Sequence, residues 1–410
     1  MKIGIIGGGA AGLCAAIAAA RGNGNVTIFE RNDRVGKKIL MTGNGKCNLS
    51  NLEMSAEYYY SGDRSFVARV LERFGTDETI LFFNGLGLLL TEKRGGIYPH
   101  SEQASAVLDA LRFEADSLGI NICSPAFVKK ITKEGDGFEI TFEQTLPEGK
   151  SACKKERFDR VIIAAGGKAA PKTGSDGNGY KLAGDFGIKM SNTFPALCGV
   201  RCRGKFWKEI AGVRCQASLL IENEESGEGF SYGELQITDY GISGIPVFQI
   251  SRLIAGKLLK DEDCIIDIDL FPDVSEDVLF NEISSRVILL TDRTSLQILG
   301  GFLNKKLAMF ILKSLGIRAD DRLGEDRLPL IVSALKHLRV MATEVNSFEQ
   351  AQTTAGGVLL SELDDTLQSR NHKGLFFAGE ILDADGVCGG YNLQWAWSTG
   401  YIAGEAAALC

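Results

Sequence analysis

A glycine-rich turn near the start of the chain has residue types and spacing suited to binding a dinucleotide. The turn, Gly7-Gly8-Gly9-Ala10-Ala11-Gly12, fits G-x-G-x-x-G and follows an apolar run that reads as a buried strand. We expect Gly7 to make the tight turn, Gly9 to let a pyrophosphate approach the backbone, and Gly12 to let strand and helix pack closely. An Ala-rich helix follows, and the free N–H groups at its start would face the phosphates.

A carboxylate completes this unit. A second predicted strand, Asn25 to Phe29, ends at Glu30. A carboxylate in that position binds the ribose hydroxyls of an adenosine and disfavours a 2′-phosphate, so NADP is not the expected ligand here. The fingerprint alone does not distinguish FAD from NAD.

Four further glycine-containing segments suit contact with a long ligand. The loop Thr42-Gly43-Asn44-Gly45-Lys46-Cys47-Asn48 suits the wrapping of a long phosphate-containing ligand, although a surface loop has similar composition. A predicted strand, Arg160 to Ala165, ends in Gly166-Gly167, and another ends in Gly379-Glu380. Gly389-Gly390 opens a last helix, whose first N–H groups could face an electron-rich flavin edge; Leu393, Trp395 and Trp397 could equally be core residues.

Taken together, these motifs resemble a family of bacterial FAD flavoproteins described as NAD(P)/FAD-dependent oxidoreductases, as the aminoacetone oxidase family and as the flavin reductase of bile-acid dehydroxylation. The resemblance covers essentially the whole chain and implies FAD as cofactor. It implies FAD contacts at Ala11, Glu30, Arg31, Lys37, Lys38, Gly43, Asn44, Val128, Glu380, Asn392 and Leu393. For Val128 the residues themselves predict only a strand around 126–131.

The expected cofactor-binding set combines the motif residues with those implied by the resemblance. It comprises Gly7, Gly9, Ala10, Ala11, Gly12, Glu30, Arg31, Lys37, Lys38, Thr42, Gly43, Asn44, Cys47, Asn48, Val128, Ala165, Gly166, Gly379, Glu380, Gly390, Tyr391, Asn392 and Leu393.

The order of these motifs predicts an α/β fold with an insertion. Segments 1–192 and 346–410 should form one Rossmann-like FAD-binding domain, because both carry cofactor motifs. Between them we expect a β-rich subdomain over 193–270 and a helical subdomain over 271–345, the latter with helices from Ser275 to Leu290, Ser295 to Leu315 and Pro329 to Val340. An inserted cap of this kind usually places the substrate site between itself and the flavin.

Catalytic residues are not identified by the sequence. A segment from Thr238 to Pro246 resembles a family signature in which Asp239 stands where a histidine is usual. Lys46, Asp239 and Tyr391 are polar candidates for a proton donor. Cys47 and Cys388 lie in the glycine-rich loops but form no C-x-x-C pair, so we expect packed thiols rather than a redox pair.

Composition limits the classes of partner. The 410 residues carry 45 Lys and Arg against 52 Asp and Glu, a formal charge of −7, which argues against nucleic acid as a partner.

We expect no metal, because the three histidines are far apart in sequence, and no membrane span. The N-terminal apolar run is broken by glycines and reads as mature structure rather than a signal peptide. Ten scattered cysteines suit a reducing cytoplasm. The oligomeric state stays open.

The combined expectation is an FAD-dependent oxidoreductase that passes hydride through flavin N5. NAD(P)H is the expected diffusible electron donor, and a small organic molecule, for example an enone C=C, the expected acceptor. Without a nicotinamide domain, donor and acceptor would use one cleft in turn, which predicts ping-pong kinetics. One alternative is an oxidase of a small amine or carbonyl compound that produces hydrogen peroxide. Another, from a different class, is an FAD-dependent tRNA-modifying protein.

Overall fold

The computed structural model describes residues 1–145, 151–224 and 227–409, with the side chain of Asn44 also outside the description. The chain divides into two compact units. The first unit joins Met1–Phe194 to Gln352–Cys410, and the second unit is Pro195–Ala351. The subdomain boundaries drawn from the sequence stay a prediction, and Cys410 lies outside the described residues.

The helices follow one another along the chain with these bounds: α1 Ala10–Arg21, α2 Arg64–Arg73, α3 Thr76–Gly85, α4 Ala104–Ser117, α5 Asn178–Gly184, α6 Trp207–Ile210, α7 Ile245–Leu258, α8 Glu276–Leu289, α9 Ser295–Leu299, α10 Lys305–Ser314, α11 Leu328–Lys336 and α12 Tyr391–Leu409.

The strands are β1 Lys2–Ile6, β2 Asn25–Phe29, β3 Ser50–Asn51, β4 Tyr59–Tyr60, β5 Leu90–Lys93, β6 Gly96–Pro99, β7 Asn121–Cys123, β8 Ala126–Glu134, β9 Gly137–Thr145, β10 Ser151–Phe158, β11 Arg160–Ile163, β12 Phe194–Ala196, β13 Val200–Cys202, β14 Arg214–Ile221, β15 Phe230–Ile237, β16 Gly241–Gly244, β17 Cys264–Asp269, β18 Leu338–Val345, β19 Thr353–Ala355, β20 Leu375–Phe377 and β21 Asp385–Gly386.

A five-stranded parallel sheet forms the centre of the first unit. Its order is β20-β11-β1-β2-β7, and each neighbouring pair is parallel. The strands are short apolar runs, and Ile3 and Ile5 are fully buried, as expected for a sheet covered on both faces. Gly4 leaves room for this cover, because a Cβ built there would lie 2.7 Å from Ile140 of β9. The α/β fold with a Rossmann-type parallel sheet is confirmed.

Helices α1 and α12 pack against each other almost backbone to backbone. A Cβ built on Gly400 would lie 2.5 Å from the carbonyl oxygen of Ala11, and one on Gly404 would lie 2.2 Å from that of Ala15. The thiol of Cys14 donates to the carbonyl of Trp397 at 3.4 Å. Small residues on both helices are therefore required at this contact, which joins the two segments of the first unit.

The second unit contains a closed barrel and a group of helices. The barrel order is β13-β16-β15-β14-β17-β18, and each pair is antiparallel. Helix α7 packs against five of its strands, and α8, α9, α10 and α11 pack on one another. One shared apolar core runs through the barrel and the helices. The β-rich and helical parts predicted for the insertion are both present.

Two sequence-based element predictions are wrong in detail. The helix expected over Pro329 to Val340 ends at Lys336, and the chain turns at His337 into β18, which pairs with β13 and β17 to close the barrel. The helix expected over Ser295 to Leu315 is two helices, broken between Leu299 and Lys305. Barrel closure is a long-range pairing, and local periodicity carries no signal for it.

No helix among the described residues is both long and apolar enough to cross a membrane.

We predict that Gly404→Ala destabilises the first unit, because the new methyl group would overlap the backbone of α1. Overpacking of this kind costs about 1–3 kcal/mol, and thermal unfolding should show a lower Tm. Gly256→Ala is the matched control. Gly256 lies inside α7, and no described heavy atom lies within 4 Å of a Cβ built there, so this change should raise stability by about 0.5–1 kcal/mol. Equal Tm values for the two variants would contradict the packing described.

His337 provides a second, pH-dependent contribution to stability. Its Nδ1 lies 2.8 Å from Oδ2 of Asp267 on β17, and its Nε2 lies 3.0 Å from Oε1 of Glu276 at the start of α8. The hydrogen bond to Asp267, followed by that to Glu276, raises the pKa of His337 above its ordinary value of 6.5. The imidazolium thus joins the end of α11 to the barrel and to α8.

Since the folded pKa exceeds the unfolded one, the stabilisation is complete below about pH 6.5 and is lost as pH rises through the folded value. We predict that wild type exceeds His337→Gln in free energy of unfolding at acidic pH, and that the difference shrinks towards alkaline pH. Urea unfolding of both proteins at several pH values measures this. A difference that grows with pH would refute the assignment.

Candidate active site

The carboxyl ends of the parallel strands bring the predicted cofactor residues to one edge of the sheet. In the sheet, β1 lies between β2 and β11. The chain adds β2 and β7 on one side of β1 and later adds β11 and β20 on the other side, so the strand order reverses next to β1. Ligands of open α/β sheets bind in the crevice at such a reversal. The segments that follow four of these strands begin with Gly7, Glu30, Ala164 and Ala378.

The fold constrains the three fingerprint glycines in different ways. Gly7 has φ +105°, and a Cβ there would lie 2.5 Å from the carbonyl oxygen of Ala164. A Cβ on Gly12 would lie 1.9 Å from the carbonyl oxygen of Gly7. Gly9, by contrast, has an extended backbone, and a Cβ there would meet no described atom within 4 Å. The fold therefore requires Gly7 and Gly12, whereas the space beside Gly9 is open to a ligand.

The N-terminus of α1 presents backbone N–H groups to that space. Gly9 is the N-cap, no side chain of the described residues caps the helix there, and its first turn holds no acidic residue. The first bond inside the helix runs from the N–H of Leu13 to the carbonyl of Gly9, 2.9 Å. The N–H groups of Ala10 and Ala11 precede it, and helices leave such groups without internal partners. This end therefore attracts phosphate.

Glu30 is held in a fixed position at the end of β2. It is 8% exposed. Its Oε2 accepts from the N–H of Gly8 at 3.0 Å, and its Oε1 accepts from the backbone and side-chain nitrogens of Asn32, both at 2.8 Å. The side chain of Asn32 also donates to the carbonyl of Thr173, 2.8 Å. Asn32 is an orienting residue that sequence reasoning missed; its only signal is an amide two positions after the acid.

The cations that follow Glu30 lie near the surface. Arg31 pairs with Asp176 at 2.5 Å, with its guanidinium over the ring of Phe127 at 4.9 Å. Lys37 pairs with Asp33 at 2.6 Å. These cations are placed beside the crevice but already have carboxylate partners.

A backbone hydrogen bond joins the strand that carries Val128 to Glu30. The N–H of Ala126, at the start of β8, donates to the carbonyl of Glu30 at 2.6 Å. Val128 follows on the same strand at a register shift, is 3% exposed, and accepts a hydrogen bond from Nδ2 of Asn178 at 3.0 Å.

Lys38 and Glu380 join the N-terminal segment to the C-terminal one. The Lys38 ammonium lies 2.5 Å from Oε2 of Glu380 and donates to the carbonyl of Ala169 at 3.3 Å. The other carboxylate oxygen, Oε1, accepts from the N–H of Thr354 at 3.0 Å. Both side chains are partly buried, so this pair fixes the edge of the crevice across distant parts of the sequence.

Two glycines beside this pair allow close backbone approaches. Gly379 has φ +81°, and a Cβ there would lie 2.8 Å from Cβ of Ala11. Gly166, after the partly buried Ala165, has φ +72°, and a Cβ there would lie 2.7 Å from Oγ of Ser175.

The loop from Thr42 to Asn48 begins as a 3-10 turn over residues 39–45. Thr42 donates to the carbonyl of Ile39 at 2.6 Å, and Gly43 has φ +52°. Cys47 is fully buried, and burial raises the pKa of its thiol to about 11. That thiol stays protonated at neutral pH, which fits a packing role. The side chain of Asn44 lies outside the described residues.

Helix α12 begins directly after Gly389 and Gly390, both at positive φ. A Cβ on Gly390 would lie 2.6 Å from the carbonyl oxygen of Ser50 and 3.0 Å from Oδ1 of Asn48. The side chain of Asn51 donates to the carbonyl of Gly389 at 3.0 Å. The start of α12 is thus held against the residues that follow the polar loop.

The first residues of α12 have mainly structural contacts. Asn392 brackets Gly386, donating to its carbonyl at 2.7 Å and accepting from its N–H at 2.9 Å. The Tyr391 hydroxyl donates to the carbonyl of Glu53 at 3.2 Å, and Leu393 packs against the core. Gln394, which sequence reasoning missed, is fully buried and binds Ser50 and the carbonyls of Phe74 and Gly75.

One buried polar atom at this site lacks a partner. Oδ1 of Asn48 is buried beside Gly390 and has no hydrogen bond among the described residues. A buried acceptor without a partner costs free energy unless a ligand donates to it. FAD carries such donors on its ring and ribityl chain, and the open space at Gly9 suits its pyrophosphate. The residues present therefore fit FAD; the individual contacts stay predictions.

Within the described chain no group of three or more His, Cys, Asp or Glu side chains could hold a metal ion.

We predict that Gly9→Val weakens FAD binding by about tenfold or more, equivalent to about 1.4 kcal/mol, and leaves the Tm of the FAD-free protein unchanged. The valine would enter only the open space beside α1. Fluorescence titration with FAD measures the first quantity. Gly62→Val is the matched control, because Gly62 is exposed and a Cβ there also meets no described atom within 4 Å. Unchanged FAD affinity in Gly9→Val would contradict the assignment of this space.

Sequence comparisons identify relatives of full length. The family model described as the HI0933-like protein Rossmann domain matches residues 1–406. A 3-dehydro-bile acid delta(4,6)-reductase of Clostridium scindens is 41% identical over 416 residues, covering 99% of each chain. A ribosomal RNA dihydrouridine synthase of Haemophilus influenzae is 31% identical over 405 residues, covering 97% of this chain and 96% of the relative.

Among solved structures, a 3-ketosteroid delta1-dehydrogenase from Sterolibacterium denitrificans, in complex with 1,4-androstadiene-3,17-dione, has a TM-score of 0.52 at 11% identity and covers 99% of each chain. At that identity the likeness concerns the fold. The chain therefore belongs to the HI0933-like family of FAD-binding Rossmann proteins and is an FAD-dependent oxidoreductase.

Proposed function

We propose that this protein uses NAD(P)H to saturate a carbon–carbon double bond conjugated to a carbonyl in a small, largely apolar molecule. A 3-oxo steroid acid is the substrate class that we favour. The observation that carries this proposal is the 41% identity, over 99% of both chains, to a named 3-dehydro-bile acid delta(4,6)-reductase. A 3-oxo group with a double bond at position 4 is an enone, the acceptor class expected from the sequence.

In this proposal the first unit holds the cofactor. The α1 N-terminus and the space at Gly9 take the pyrophosphate, and Glu30 takes the adenosine ribose. The loop ending at Asn48 and the start of α12 surround the flavin ring. FAD supplies a two-electron carrier that is reduced by one substrate and reoxidised by the next. The protein residues bind it, orient it and exclude water.

The donor would share its site with the acceptor. The second glycine cluster, from Gly174 to Gly179, follows a 3-10 turn rather than a strand, and α5 begins within it. This cluster lacks the strand–turn–helix arrangement of a dinucleotide fingerprint. Alternate entry of NAD(P)H and acceptor therefore supports ping-pong kinetics.

A second candidate is the reduction of uridine in ribosomal RNA, favoured by the 31% identity to a ribosomal RNA dihydrouridine synthase. The uracil C5=C6 bond is also conjugated to a carbonyl, so both candidates share one bond chemistry. The formal charge of −7 weighs against an RNA substrate. The amine or carbonyl oxidase alternative is supported by none of the relatives named above and ranks below both.

We predict that NADH or NADPH bleaches the bound flavin anaerobically, and that a 3-oxo-Δ4 steroid acid restores the yellow colour. Stopped-flow absorbance measures both halves. The saturated analogue is the control acceptor and should leave the reduced flavin unchanged. Double-reciprocal plots at several acceptor concentrations should be parallel.

Three results would contradict this proposal. One is failure of both nicotinamides to bleach the flavin. Another is reoxidation by hypomodified ribosomal RNA but by no enone. The third is peroxide formation driven by an amine in place of NAD(P)H.

A further inference from the structure

Saturation of a conjugated double bond requires an acid near the flavin ring; of the candidates named from the sequence, two already have polar partners in the first unit and the third belongs to the second unit. The Tyr391 hydroxyl already donates to the carbonyl of Glu53. Lys46 pairs with Glu102 at 2.8 Å. Asp239 is exposed between β15 and β16 of the second unit. The first unit, which contains the predicted ring site, offers a further candidate.

Tyr98 lies on a strand that is attached to the start of α12. β6 pairs with β3, with Gly96 opposite Asn51, and the side chain of Asn51 donates to the carbonyl of Gly389 at 3.0 Å. Tyr98 is two residues after Gly96 and so lies on the same face of β6. Ile97, between them, points into the core and is 4% exposed.

The ring of Tyr98 lies beside the side-chain amide of Asn48, whose Oδ1 has no hydrogen bond among the described residues. A Cβ built on Gly96 would lie 2.8 Å from Cε2 of Tyr98 and 2.9 Å from Nδ2 of Asn48. One built on Gly390 would lie 3.0 Å from Oδ1 of Asn48. The tyrosine ring, the Asn48 amide and the first residues of α12 are therefore neighbours, and Gly96 is what allows the ring to approach.

The hydroxyl of Tyr98 is available to a ligand. The residue is partly exposed, and no hydrogen bond joins its hydroxyl to another described residue. Its electrostatic neighbours are Cys388, Lys46 and Cys47. Burial, more than any neighbouring charge, raises the pKa of Tyr98 above 10.0. The phenol therefore keeps its proton at neutral pH, as a general acid must.

We propose that Tyr98 is the general acid that protonates the α-carbon of the conjugated substrate, an inference that rests on the proposed function. NAD(P)H is the source of the two electrons and one hydrogen that the β-carbon gains. The C=C π bond breaks, the O–H bond of Tyr98 breaks, and a C–H bond forms at the α-carbon. The tyrosinate then recovers a proton from water, so the sum is one NAD(P)H and one proton consumed per bond saturated.

The test compares wild type with Tyr98→Phe, which removes one oxygen and no described hydrogen bond. Reduction of the flavin by NAD(P)H and FAD affinity should be unchanged. Reoxidation by the enone should fall by about 10²–10⁴-fold. The alkaline limb of its pH profile, set by loss of the tyrosine proton, should disappear. Ultraviolet titration of the FAD-free variant should show one tyrosinate fewer above pH 10.0, the ordinary value.

Tyr232→Phe is the control. Tyr232 is a half-exposed tyrosine on the barrel, and its hydroxyl donates a hydrogen bond to Asp273. It should behave as wild type. If wild type reacts with the enone and Tyr98→Phe reacts equally fast with the same pH profile, the role of Tyr98 is overturned and the proposed function stands. If reduced wild type is reoxidised by no enone, the proposed function fails and the role of Tyr98 fails with it.

Discussion

The contact between α1 and α12 is the constraint on which the first unit depends. Gly400 and Gly404 bring the backbone of α12 onto the carbonyls of Ala11 and Ala15, closer than any side chain would permit. One of these helices starts at the predicted phosphate site and the other at the predicted ring site. Their separation is therefore set by main-chain atoms, which adapt far less than side chains do. Two ends of a long cofactor need such a fixed distance.

Around that contact, the site is assembled from segments far apart in sequence. The ion pair of Lys38 with Glu380 and the bond from Asn51 to Gly389 each link an early segment to a late one. Both pairs are partly buried, where electrostatic interactions are screened less than at the surface. The structure thus fixes the crevice with a few polar links and leaves Oδ1 of Asn48 without a partner.

Local patterns predicted the elements that obey local rules. The strand–glycine–helix unit from Lys2 to Arg21 and the glycine pair before α12 are confirmed, because turn conformation and helix starts are encoded in adjacent residues. The turn at His337 into β18 was not foreseen, since its cause is pairing with strands distant in sequence. Gln394 and Tyr98 were missed for a related reason. The contacts that make each of them important come from residues distant in sequence, which only the tertiary fold brings together.

The discontinuity of the first unit also constrains the order of events during synthesis. The second unit, Pro195–Ala351, is a continuous stretch, whereas β20 and α12 of the first unit follow it in the chain. Domains fold as units while the chain emerges. The inserted unit can therefore complete its core before the earlier residues complete theirs. Until α12 arrives, the face of α1 that α12 covers has no partner helix, and the nascent chain has the predicted phosphate site without the predicted ring site.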